Sequence, residues 1–119
     1  MRYAILAYQS EADFGLRTDQ DRRQRYWAAW RAYDEALIAA GVKLSGAALQ
    51  SGATGTTVRM NGNVRQVQDG PYADTKEQLG GFVLIDVPDL DAALDWAARC
   101  PAAAYGAVEV RPLFQGGMG

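Results

Sequence analysis

The apolar positions of this chain fall into two kinds of run, and each kind predicts a different element. In the first kind, both alternating faces of an extended segment are apolar. Residues 2–8 place Tyr3, Ile5 and Ala7 on one face and Ala4, Leu6 and Tyr8 on the other. Residues 82–87, Phe82 to Val87, repeat the pattern with Asp86 as the exception. A half-exposed strand alternates apolar with polar, so both segments read as strands covered on two sides. In the second kind, apolar residues recur every three or four positions. Tyr26, Trp27, Trp30, Tyr33, Leu37 and Ile38 form such a stripe and predict a helix over about 19–40. Thr18 and Asp21 make a variant capping box at its start, and Gly41 ends it. Leu90, Ala93, Leu94, Ala97 and Ala98 predict a second helix, N-capped by Asp89 and stopped by Pro101. Trp96 falls off that stripe. Residues 9–17 read as a polar loop and 115–119 as a frayed tail.

Three weaker segments complete the order. Residues 42–50 form a strand interrupted by Gly46, 54–60 and 64–68 pair as a hairpin around Asn61-Gly62-Asn63, and 107–113 close the chain as a strand. The result is an α+β chain of order β-α-β-(β-hairpin)-β-α-β, a ferredoxin-like split βαβ plan with an inserted β-hairpin. That plan puts the first and third main strands at the centre of the sheet, and those are the two segments apolar on both sides. Two helices cover only one face. Burying a Phe or Leu is worth roughly 1.5–3 kcal/mol, so the second face is expected to be covered, most simply by a second copy of the chain.

Between the hairpin and the buried strand lies Asp69-Gly70-Pro71-Tyr72-Ala73-Asp74-Thr75-Lys76-Glu77-Gln78-Leu79-Gly80-Gly81. It opens as a turn, since Asp69 can cap nearby N–H groups and Pro71 fixes φ. Gly80-Gly81 predicts a bulge or a close backbone approach. The run from Asp69 to Phe82 resembles the signature of the YCII-related family, in the subgroup named for an Asp-Gly-Pro-Phe (DGPF) motif, with Tyr72 in place of the Phe. The opening strand, the spacing of the helices and the closing Val108-Glu109-Val110-Arg111-Pro112 extend the resemblance over most of the chain. It implies one YCII-related (DGPF-type) domain over residues 1–119 that forms a homodimeric α+β barrel with clefts near the subunit boundary. Members of the wider family have been suspected of enzymatic action through a His–Asp pair. This chain contains no histidine, and Cys100 stands before Pro101 where the Asp would be.

Composition narrows the chemistry. The chain of 119 residues is 49% hydrophobic with a formal charge of −2, which fits one folded domain and excludes disorder. The isoelectric point near 5.0 argues against a nucleic-acid partner. Gly81-Phe82-Val83 faintly echoes the signature of RNA-recognition motifs, but the basic residue and alternating aromatics needed for base stacking are missing. With no His and one Cys, zinc and copper have no ligand set, and capping already explains two of Asp86, Asp89 and Asp91, so no metal or cofactor is expected. The opening has no leader pattern and no run long enough to span a bilayer, which together with the lone cysteine points to the cytoplasm.

The charge within 69–77 singles out Asp69, Lys76 and Glu77 as candidate acid–base groups if they face a cleft; otherwise Asp69 caps a turn and the others are solvated. Tyr8, Ser45, Arg59, Tyr72 and Asp74 are candidate ligand contacts, with ordinary surface or interface positions as the alternative. The aromatics Tyr26, Trp27, Trp30 and Tyr33 form either a pocket or helix-to-sheet packing. Cys100 reads as buried and inert, since no base is at hand to activate it. Two functions follow. One is small-molecule binding in a cleft at the dimer barrel with acid–base catalysis. The other is a non-catalytic regulatory or interaction domain, which the subgroup's association with alternative sigma factors implies.

Overall fold

The computed structural model describes residues 1–115; the tail over 116–119 lies outside them. Strand β1 (Arg2–Ser10) lies inside a four-stranded sheet with β2 (Lys43–Ala48), β5 (Glu77–Asp86) and β6 (Ala107–Pro112), in the order β2-β5-β1-β6. Every neighbouring pair is antiparallel. The two segments that are apolar on both faces are thus the inner strands. The hairpin, β3 (Thr56–Asn61) with β4 (Val64–Asp69), stands apart as a two-stranded ribbon inserted between β2 and β5.

Alternation divides the sheet into two faces. Tyr3, Ile5 and Ala7 from β1 and Ile85 from β5 enter the core with Leu37, Ala93 and Cys100 from the helical side. Ile5, Leu37 and Ile85 are at most 1% exposed. Ala4, Leu6, Tyr8, Phe82 and Leu84 take the opposite face and are only half-buried. The Cα radius of gyration is 16.0 Å, against about 13.5 Å for a compact chain of this length. The excess reflects a flat body of 47 × 45 × 19 Å with an extended ribbon.

The helices are α1 (Glu11–Phe14), α2 (Arg23–Ala39), α3 (Leu90–Arg99) and α4 (Ala102–Tyr105). Residues 9–17, expected as a loop, instead hold α1 and a 3₁₀ turn at Gly15–Arg17. Ser10 Oγ accepts the Asp13 N–H at 3.3 Å, which caps α1, and Phe14 and Leu16 are buried beneath it. Helix α2 begins four residues later than expected. Asp19 Oδ1 accepts the N–H groups of Asp21 and Arg22, both at 3.0 Å, and Arg22 returns its guanidinium to Oδ2. This turn, not a Thr18 box, precedes the helix. The Arg22 side chain and the Asp21 N–H hold the Asp19 carboxyl below its ordinary range.

Asp89 caps α3 as expected, accepting the Ala92 N–H at 2.9 Å. The buried stripe is rotated, however. Ala93 and Ala97 face the core, whereas Leu90 and Leu94 are 48% and 46% exposed. Trp96 goes with the rotated stripe: its ring meets that of Tyr33 at 6.3 Å and packs on the core, and its carbonyl accepts the Tyr33 hydroxyl at 2.8 Å. Cys100 is buried at the end of this stripe, and burial pushes its thiol up to about 11.

Candidate functional site

The residues singled out from sequence fall in three places. Asp69 ends β4 opposite Thr56, in a ribbon whose base is tied by Gly70 N–H to Gly55 O at 2.8 Å and Thr57 Oγ to Gly70 O at 2.9 Å. Gly70 needs its missing side chain there, with φ at +98°. Tyr72, Asp74, Lys76 and Glu77 follow and are exposed. Tyr72 meets Arg59 of β3, whose guanidinium carbon stands 4.8 Å from the ring centre. The segment is braced by Gln78, whose amide donates to Ala73 O and Thr75 O, both at 2.9 Å. Tyr8 and Ser45 lie on the helix-free sheet face, on β1 and β2. There the Tyr8 hydroxyl reaches Glu109 Oε1 at 3.5 Å, and Arg111 holds the other carboxylate oxygen at 2.7 Å.

A different place has the shape of a ligand site. Helix α2 sits over the inner strands and leaves the edge strand β2 uncovered, with Ser45 to Ala48 exposed. Between them lies a cleft of about 290 Å³. Trp27 and Trp30 form the helical wall. The floor is nearly free of side chains, because register sets Gly46 opposite Val83 and Ala48 opposite Gly81. The backbones come so close here that a Cβ on Gly46 would lie 2.8 Å from Phe82 O, and one on Gly81 2.9 Å from Ala47 O. The register of β1 against β5 shifts at the neighbouring Gly80, as the Gly80-Gly81 pair predicted.

Ionic groups bound the cleft at both ends of β2. At one end Lys43 pairs with Asp34 at 2.5 Å. At the other stands Arg17, which donates to Leu49 O and, at 2.9 Å, to Gly80 O. Its guanidinium carbon lies 4.6 Å from the Phe14 ring centre and 5.6 Å from that of Trp27. Trp27 Nε1 in turn donates to Arg17 O at 3.1 Å, so head and backbone are both fixed. Among the described residues Arg17 has no carboxylate partner. Two buried N–H groups of the cleft residues, Arg17 Nε and Trp30 Nε1, have no acceptor. Each such orphan costs about 1–3 kcal/mol. The lining supplies cations and aromatic surface, and its single carboxylate is already paired. Such a site can bind an oxyanion and stabilise its charge. Trp27 and Trp30 were visible in the sequence as a stripe. Arg17 carried no local signal, because its partners lie 32 and 63 positions away.

The profile of the YCII-related domain matches residues 1–115. The chain belongs to the YCII-related family. An uncharacterized protein of Rhizobium meliloti strain 1021 is 36% identical over 115 residues, covering 95% of this chain and 92% of that protein. Among solved structures, this YCII-related chain is similar to 5-chloro-2-hydroxyhydroquinone dehydrochlorinase from Burkholderia phenoliruptrix AC1100, determined in complex with 2,5-dihydroxybenzoquinone. The TM-score is 0.55 at 19% identity, over 98% of this chain and 96% of that one, a likeness of fold. Among the described residues no helix is long and apolar enough to cross a membrane, and no group of three or more Cys, Asp or Glu side chains is placed to hold a metal.

Proposed function

We propose that this YCII-related protein, of the DGPF type, binds a small molecule in the cleft between α2 and β2. The observation that carries this reading is Arg17, a fixed cation with no carboxylate partner among the described residues, at the mouth of an aromatic slot floored by backbone. The bound ring compound in the similar dehydrochlorinase is consistent with a small ligand on this fold. The helix-free face, with Leu6, Phe82 and Leu84 half-buried, supports a homodimeric barrel built on a ferredoxin-like plan, and the lone cysteine fits the reducing setting of the cytoplasm. Acid–base work by Asp69, Lys76 and Glu77 is a separate expectation that needs a second chain to close over them, since none of the three lines this cleft.

The exposure of Tyr72 to Glu77 favours a second reading, a regulatory or interaction domain without turnover. A screen of small aromatic and aliphatic acids, amides and sugars by tryptophan emission separates the two. The cleft reading expects a ligand that changes the emission of Trp27 and Trp30. It also expects Ala48→Phe, which fills the slot from the exposed edge strand, to abolish that change while the fold persists by circular dichroism. A response unaltered by Ala48→Phe, or no response at all, defeats it.

A further inference from the structure

We infer that the cleft takes a planar aromatic anion, a one- or two-ring carboxylate or phenolate, with Arg17 as its charge partner and Trp30 as a hydrogen-bond donor. This rests on the use of the cleft for a small molecule, and it names the class of that molecule.

Charge decides the sign of the ligand. Arg17, Arg31 and Lys43 line the cleft against Asp34 alone, and Lys43 already holds Asp34 at 2.5 Å. Two cations are left over. Arg17 is the constrained one: it is half-buried, and both Nη atoms are engaged by carbonyl oxygens, which orient a guanidinium without neutralising it. A cation drawn partly out of water and given only dipoles is completed by an anion. Its Nε has no acceptor, nor has Trp30 Nε1, so two residues of the lining carry buried N–H donors that no protein oxygen receives. A carboxylate or phenolate is an acceptor of the required charge.

Shape decides the rest. Gly46, Ala48 and Gly81 present backbone on one side, and the indoles of Trp27 and Trp30 stand on the other. A flat ring fits between indole and peptide plane, and stacking rewards it. A puckered ring of the same size keeps fewer atoms in contact with either flat surface. The Trp30 N–H is shut from solvent, so a ligand oxygen gains it by a turn of that indole, while Arg17 stays held by its two carbonyl oxygens. That turn changes the surroundings of the Trp30 indole, which makes its emission the natural readout.

The test titrates the full-length protein with four probes: benzoate, 2-naphthoate, benzamide and cyclohexanecarboxylate, followed by tryptophan emission and calorimetry. The two aromatic carboxylates are expected to bind, and the neutral amide and the saturated acid at least about tenfold more weakly. Arg17→Gln is expected to weaken benzoate about tenfold or more with little change for benzamide. Trp30→Phe keeps the wall, removes the donor and is expected to weaken benzoate about threefold to tenfold. Arg25→Gln, an exposed α2 cation outside the cleft, is expected to change nothing. Benzamide binding as well as benzoate overturns the anion class, and cyclohexanecarboxylate binding as well overturns planarity. Either result leaves the cleft reading intact as long as Ala48→Phe still blocks the probe. Should Arg17→Gln fail to fold, full benzoate affinity in Trp30→Phe is enough to remove the proposed donor. Failure of all four probes overturns the inference; a different ligand blocked by Ala48→Phe would still preserve the cleft.

Discussion

Cys100 is buried against the helical side of the sheet, and the loss of water around it raises its thiol pKa to about 11. The folded state therefore favours the neutral thiol. Its contribution is present in full below pH 9, where the unfolded thiol is also neutral, and is lost as pH rises through about 11. By that point the loss reaches about 2 kcal/mol. Urea unfolding at pH 8 and pH 10.5 should show a steeper loss for the wild type than for Cys100→Ala. Tyr33 is raised in the same direction, first by burial and then by the Cys100 charge, so its burial slope persists in Cys100→Ala and the difference between the two proteins reads the thiol and its coupling to Tyr33. Equal slopes would mean that the thiol is not the titrating group. Its inertness was legible in the sequence, because a chain without histidine offers a thiol no base. Arg17 was not legible. An arginine in a polar stretch looks solvated until Leu49 and Gly80 arrive from distant parts of the chain to hold it.

Helix starts are set by single carboxylates, and two of them make a matched comparison. Asp89 caps α3 through the Ala92 N–H, while Asp19 organises the turn before α2 through the N–H groups of Asp21 and Arg22. Asp89→Ala and Asp19→Ala should each cost about 1 kcal/mol in urea unfolding, and Thr18→Ala close to nothing. A Thr18 effect as large as that of Asp19 would restore the capping box read from sequence. The sequence pattern located both long helices because apolar spacing survives boundary errors. It missed α1, since four residues are too few to show a period, and Ser10 with its acidic followers was the available sign. It also misjudged which way α3 faces. Leu90 and Leu94 outweigh Ala92 and Ala93 on any hydrophobicity scale, but Trp96 packs its ring on Tyr33 and takes the inward side with Ala93 and Ala97.

At the scale of the molecule, the open question is what covers the helix-free sheet face. Leu6, Phe82 and Leu84 there are half-buried in a single chain, whose flat outline exceeds the size of a compact protein of this length. Light scattering at micromolar concentration should find twice the 12.9 kDa chain mass, and Leu6→Lys should return it toward a single chain. A wild-type particle of one chain mass would leave the face to solvent. The order of main elements was readable because inner strands carry apolar residues on both sides, and the ribbon was readable from Asn61-Gly62-Asn63. The cleft was not, since it is the space left where α2 fails to reach β2.

The strand order carries one more consequence. Cutting the chain at Gly62, the tip of the ribbon, would give a front half with β1, β2 and β3 and a back half with β4, β5 and β6. In the order β2-β5-β1-β6, and in the pair β3-β4, every neighbour then comes from the other half. Neither piece can form any of the native strand pairs by itself, whereas together they interlock like the teeth of a zip. Two separately made fragments should therefore be unstructured apart and fold on mixing, with no peptide bond between them.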